Sequence, residues 1–226
     1  MLHLKHDVQI HLKNEKEVFR VIRLILFTFL FSAAFLGLPD YIWNITLYKI
    51  AKFFVPWIIA IPAILNCIAR KKTLKELFGE KILLKVLFGF LFGIAFALIM
   101  KAIMSALLSG QNVLNSYEYK SLIYNALYYY FSVAMAEELI YRVSILENLE
   151  AVMPKWIAFI IADLLFAGYH LFQGNLFKVV FNIFAGAIYI ALYKWKKGGY
   201  VFAVVMHGTY DFFYMNLSVI TYLLLK

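Results

Sequence analysis

Seven long apolar runs, at about 18–38, 48–68, 83–108, 121–148, 155–172, 175–195 and 199–225, alternate with short polar stretches along the chain. A helix needs roughly 20 apolar residues to cross the hydrocarbon core of a bilayer, and each run has about that length or more. The pattern predicts an all-α fold, a polytopic transmembrane helix bundle of about seven spans. The leading segment "MLHLKHDVQIHLKNEKEVFR" mixes acids with bases, unlike a secretory signal. Residues 1–17 are expected to form a cytoplasmic tail, and no linker or repeat divides the chain. The expectation is therefore a single integral membrane domain over 1–226.

Composition strengthens the membrane assignment. The chain is 64% hydrophobic and 15% charged, against about 45–50% and about 25% in ordinary soluble domains. Its 22 phenylalanines and 16 tyrosines suit lipid-facing and interfacial positions. A net charge of +9 raises the question of nucleic acid, but the basic residues cluster between apolar runs and no basic-aromatic binding motif is present. The lone cysteine, Cys67, excludes an internal disulfide and a cysteine-based metal site.

The basic clusters also imply an orientation. Lys5, Lys13, Lys16, Arg20 and Arg23 precede the first run. Arg70, Lys71, Lys72, Lys75 and Lys81 follow the second, and Lys194, Lys196 and Lys197 precede the last. The alternate loops are poorer, with Lys120, Lys178 and a few others. An N-inside, C-outside arrangement places every dense cluster in the cytoplasm and leaves Lys226 outside. Trp156 and Trp195 then belong to the interfacial belt on the cytoplasmic side. The "GFLFG" at 89–93 is a small-xxx-small step through which the third helix can approach a neighbour closely.

Against this background a few ionisable residues stand out. Lys85, Lys101 and Lys178 lie near run ends and can snorkel. Glu137, Glu138 and Arg142 lie well inside the fourth run. Glu138 and Arg142 are four apart, the spacing of an ion pair on one helical face, whereas Glu137 is rotated by about 100° from Glu138. The fifth run holds Asp163, Phe166 and His170, and the last holds His207 and Asp211 four apart. At about 1.5 Å per residue, Glu137, His170, His207 and Asp211 stand at a similar depth near mid-membrane. Isolated charges there are costly, so the groups are expected to converge on one polar cavity. Bland alternatives exist for each. Glu138 with Arg142 reads equally as a structural clamp, His170 as a histidine satisfied by a neighbouring helix, and His207 with Asp211 as a helix-bridging pair. Phe166, Tyr128, Tyr129 and Tyr130 read as packing, and Asp163 as a structural residue.

The three elements, EExxxR (Glu137, Glu138, Arg142), FxxxH (Phe166, His170) and HxxxN/D (His207, Asp211), in this order on late helices, resemble the CPBP family of intramembrane proteases. That family, also called the Abi family, includes the CAAX prenyl proteases and bacterial proteins linked to bacteriocin processing and self-immunity. The resemblance covers about residues 120–215, the motif-bearing core. It implies hydrolysis of a peptide bond within or beside the membrane, of a membrane-associated or small secreted peptide. Glu137 and His170 would activate a water, and His207 and Asp211 would face the oxyanion. Glu138, Arg142 and Phe166 would support them. Many relatives have asparagine where this chain has Asp211, so Asp211 must be protonated, orient His207 or bind a metal. Glu137, His170 and His207 could form a three-ligand zinc site, and the same residues also suffice for a metal-free glutamate-activated water. The implied surroundings are the lipid bilayer of a bacterial plasma membrane and a peptide or protein substrate. Oligomeric state has no sequence signal. Two other classes stay open: a non-enzymatic bacteriocin-immunity or scaffold protein of the same fold, and a proton-coupled carrier.

Overall fold

The computed structural model describes residues 2–37, 42, 44–107, 122–173, 176–195 and 198–224. Lys120, Lys196, Lys197 and Lys226, which the orientation expectation uses, lie outside them. Among the described residues the fold is entirely helical, and a helix occupies the place of each apolar run. Helix α1 (Leu2–Phe35) is continuous over 34 residues, so the polar leading segment extends the first apolar run instead of forming a separate element. The second run is two helices, α2 (Ile45–Ile59) and α3 (Ile61–Ala69). Pro62 has no N–H to return to the preceding turn and disfavours helical geometry at Ile61, and the break falls at Ala60. A short α4 (Leu74–Phe78), with a Thr73–Glu76 capping box, precedes α5 (Ile82–Leu107).

The fourth run is composite. It comprises α6 (Leu122–Leu127), a π-helical segment Tyr128–Ala134, a short α7 (Met135–Glu138), a second π-helical segment Leu139–Leu146, and α8 (Glu147–Glu150). After it come α9 (Lys155–Tyr169), which tightens to 3-10 geometry over His170–Gln173, then α10 (Leu176–Lys194) and α11 (Tyr200–Leu224). Four stretches, Glu15–Phe35, Ile45–Ala69, Ile82–Ile103 and Lys155–Phe172, are long and apolar enough to cross a membrane.

The chain forms two compact units, Met1–Lys72 with Leu139–Ile190, and Thr73–Glu138 with Ala191–Lys226. In the first, Ser144 joins α3: its hydroxyl donates to Ala63 O at 3.3 Å and lies 3.7 Å from Cys67 Sγ. Asn148 Nδ2 donates to Ser144 O, and Lys72 pairs with Glu147. The centre of the unit is Arg142, with no exposed surface. Its guanidinium lies 4.3 Å from the Phe166 ring and 5.5 Å from the Tyr189 ring, a cation–π arrangement. Nη2 donates to Gly186 O at 3.4 Å. Asp163, also buried, is within electrostatic reach of Arg142. A Cβ on Gly186 would lie 2.2 Å from Asp163 Oδ1 and 2.8 Å from the Phe166 ring, so only glycine lets α10 close over this group.

The second unit is organised by α11. A Cβ on Gly93 would lie 2.5 Å from Thr209 Cβ and 2.7 Å from Met206 O, and one on Gly89 would lie 3.0 Å from Val205 Cβ. The "GFLFG" step is thus the close crossing of α5 and α11, as the spacing predicts. Edge-to-face rings flank it, Phe92 with Phe202 and Phe90 with Phe213. On another side Gly208 meets Tyr130, with a Cβ position 2.9 Å from the ring, and the Tyr130 and Thr209 hydroxyls share a 2.6 Å hydrogen bond. Tyr200 O–H donates to Met135 O at 2.8 Å. Gly199, at φ +93°, makes the turn into α11 in a region that L side chains rarely adopt.

Two stability outcomes follow from these contacts. Gly93→Ala forces α5 away from the α11 backbone and is expected to cost about 1–3 kcal/mol. Gly89→Ala should cost less, because the clearance is larger. Thermal melting in detergent checks the order, and equal melting temperatures for both variants and the parent protein would contradict it. Arg142→Ala removes the cation beside buried Asp163 and is expected to cost about 3–5 kcal/mol. Arg142→Lys should recover only part of it, since an ammonium keeps the charge but not the planar face on Phe166. Full recovery by lysine would show that the ring contacts contribute nothing.

Candidate active site

The side chains of α7 and α11 build the densest polar group of the second unit. His207 is 4% exposed and Glu138 fully buried. His207 Nδ1 donates to Glu138 Oε1 at 2.9 Å. On the other side of the ring, Asp211 Oδ2 is 3.3 Å from Nε2 and Glu137 Oε2 is 3.9 Å from it, longer than a hydrogen bond. One imidazole therefore faces three carboxylates, and it has at most two N–H groups to offer. Glu137 is buried, whereas Asp211 is partly exposed and marks the open side of the group.

Local structure explains how these residues meet. His207 and Asp211 are one turn apart on α11, so both reach the same side. The glycine after His207 lets the Tyr128–Ala134 segment come close to α11, and the Tyr130–Thr209 and Tyr200–Met135 hydrogen bonds hold that approach on either side of His207. α7 is one α-helical turn between two π-helical segments. Such segments recur at functional sites.

The first unit carries the rest of the expected residues. His170 Nδ1 donates to Phe166 O at 3.0 Å. The FxxxH spacing is thus a back-bond from the histidine ring to the carbonyl one turn earlier. In the neutral ring this bond fixes Nε2 as the acceptor nitrogen. The Phe166 ring lies 5.1 Å from the imidazole and 4.3 Å from the Arg142 guanidinium. Phe166 therefore joins the arginine of one motif to the histidine of the next.

The structure thus brings together Glu137, Glu138, His207 and Asp211 in one unit, and Arg142, Phe166 and His170 in the other. Glu138 accepts a hydrogen bond from His207 within its own unit. Four residues of these groups carry no motif: Asp163, Gly186 and Tyr189 around Arg142, and Gly208 beside His207. The small residue directly after a histidine, inside an apolar helix, is the one sequence sign that α11 is approached closely there. Among the described residues no group of three or more His, Cys, Asp or Glu side chains is arranged to hold a metal ion.

No curated protein and no solved structure matches the chain. A family model does match: residues 119–213, which contain all three motifs, fit the model of the Rce1-like type II CAAX prenyl endopeptidases, consistent with the CPBP family of intramembrane proteases.

Proposed function

We propose that the protein is an intramembrane endopeptidase in which Glu137 is the general base. The attacking water gives a proton to Glu137, and its oxygen bonds to the peptide carbonyl carbon. When the C–N bond breaks, the proton passes from Glu137 to the leaving amine. A positioned carboxylate contributes typically 10²–10⁴-fold to such a step. Glu138 and Asp211 hold the His207 ring from its two sides. His170 is assigned to the water on its motif, and its back-bonded tautomer suits that role because Nε2 then accepts. The observation that carries the reading is the buried His207 between Glu138 and Asp211 with Glu137 beside it, within the segment that fits the CAAX endopeptidase model. The substrate class is a peptide segment lying in or at the membrane. The topology that goes with this reading is seven spans in one integral domain, N-inside and C-outside, in a bacterial plasma membrane.

Purified protein in nanodiscs, incubated with membrane peptides and followed by mass spectrometry, tests the activity. Glu137→Gln is expected to remove turnover by at least about 100-fold while melting like the parent protein. Glu138→Gln should lower turnover by about 10–100-fold, the usual loss for a ring-orienting partner, and should also lower the melting temperature. Full turnover in Glu137→Gln with complete loss in Glu138→Gln would reverse the two roles.

Asp211→Asn separates two uses of that position. An amide still donates a hydrogen bond but is a poorer acceptor for His207. If Asp211 orients the ring, turnover should fall by about 10–100-fold, and turnover equal to the parent at neutral pH would remove the orienting role. The orientation is checked in a Cys67→Ser background. Cysteine at 71 or 196 should resist an impermeant thiol reagent applied to intact cells, and cysteine at 226 should react. Labelling at 196 from outside would overturn the topology.

A further inference from the structure

The stretch Ile45–Ala69 is long and apolar enough to cross a membrane, yet its last turn holds a buried carboxamide. Asn66 is 8% exposed, and neither its Nδ2 nor its Oδ1 has a hydrogen-bond partner among the described residues. Buried amides are nearly always bonded, because taking one out of water without a partner is costly. Arg70 follows one turn later, and its backbone N–H donates to Asn66 O at 3.0 Å, so the two side chains share a face of α3. Arg70 Nη1 is also buried without a partner, while the residue as a whole is partly exposed. Glu147, an acid at this end of the first unit, pairs with Lys72. A guanidinium nitrogen held out of water calls for an anion of its own.

The end of α3 is built to keep positive charge at this level. Lys71 N–H donates to Ile68 O at 2.9 Å and Lys72 N–H to Cys67 O at 3.0 Å, which closes the helix with bonded carbonyls. Lys71 makes that turn at φ +53°, where glycine is the usual residue. Three consecutive cations, Arg70, Lys71 and Lys72, therefore follow the last apolar turn and outweigh the partial negative charge of the helix end. Beside the polar face runs an apolar one. Ile61, Leu65 and Ile68 recur at helical spacing and are exposed, as suits side chains that meet acyl chains. The polar pair thus stands where a span ends and headgroups begin, and headgroups, unlike hydrocarbon, carry donors and acceptors.

We propose that Asn66 and Arg70 form a binding site for the phosphate of an anionic lipid headgroup. The Arg70 N–H groups and Asn66 Nδ2 donate to phosphate oxygens. Asn66 Oδ1 accepts from a hydroxyl of the same headgroup, such as the glycerol of phosphatidylglycerol. The exposed part of Arg70 is the way in, and the acyl chains lie along Ile61, Leu65 and Ile68. A phosphate free in solution offers the same oxygens but makes no use of that apolar face. Cys67, next to Asn66, lies 3.7 Å from Ser144 in the segment that carries Arg142, so an occupied site steadies α3 against that segment.

The test uses the full chain, purified and lipid-depleted in detergent, titrated with phosphatidylglycerol, with phosphatidylcholine of the same acyl chains, or with inorganic phosphate. Native mass spectrometry reads lipid affinity, and thermal melting reads stabilisation. Phosphatidylglycerol is expected to bind and to raise the melting temperature, and the other two additives to do neither. Asn66→Leu and Arg70→Lys both conserve charge, so diffuse attraction to an anionic surface predicts no change in either. The site predicts a loss of about 10-fold in phosphatidylglycerol affinity for each, the worth of one charge-assisted hydrogen bond. Lys71→Gln removes an exposed charge and should lose no more than about fivefold. Lipid-free Asn66→Leu should melt no lower than the parent, because it removes a buried polar group that no described residue answers. Arg70→Lys, at a partly exposed position, keeps the test open if Asn66→Leu fails to fold. Parent-like affinity in Asn66→Leu or Arg70→Lys, with the loss confined to Lys71→Gln, would overturn the site. Equal stabilisation by phosphatidylcholine, or by inorganic phosphate, would overturn the assignment to an anionic lipid.

Discussion

Charge placed on an apolar helix has to be answered by another group of the protein, because lipid offers neither donors nor acceptors. In the second unit that answer is the hydrogen bond from His207 Nδ1 to the fully buried Glu138. Much of the unit can be understood as the means of making that bond possible. The α11 helix has to come close to the segment that carries Glu138, and Gly208 removes the Cβ that would meet Tyr130. Gly89 and Gly93 let α5 close on α11 over the same turns. Tyr200 ties the start of α11 to Met135, three residues before Glu138. Once the ring is fixed by Nδ1, Nε2 has a defined direction, and Asp211 and Glu137 lie along it.

The first unit solves the same problem with a cation. Arg142 is fully buried among ring faces, a glycine carbonyl and the Asp163 carboxylate. A guanidinium tolerates this better than an ammonium, because it is planar and more weakly hydrated. The arrangement also gives Phe166 a physical role. One face of its environment is the arginine, and its backbone carbonyl receives the His170 N–H. The arginine therefore bears on the orientation of His170 through a single phenylalanine, although the two residues come from different motifs.

Much of the helix plan was legible in the sequence, since apolar length and helical spacing are both properties of one segment. The helices lie where the apolar runs lie, the His207–Asp211 pair is one turn apart as read, and the glycines of "GFLFG" do face a neighbour. What was not legible depends on which helix lies opposite which. The hydrogen bond between Glu138 and His207, for example, joins residues 69 positions apart. The π-helical segments Tyr128–Ala134 and Leu139–Leu146 leave no mark in a pattern of hydrophobicity. Likewise Asp163 and Gly186 carry meaning only once α9 and α10 are seen to close on Arg142. The break at Ala60 was readable in principle from Pro62, but composition alone makes residues 48–68 one run.

The central claim is that Glu138 holds the His207 imidazole through Nδ1, which leaves Nε2 turned to Asp211 and Glu137. Nitrogen-15 NMR of histidine-labelled protein in nanodiscs tests it directly. The chain has five histidines, so a His207→Gln sample assigns the resonance. The account predicts that Nδ1 of His207 carries a proton in both the neutral and the charged ring, and that Glu138→Gln shifts this nitrogen while leaving the other four histidines unmoved. A neutral His207 with its proton on Nε2 and a bare Nδ1, insensitive to Glu138→Gln, would contradict it.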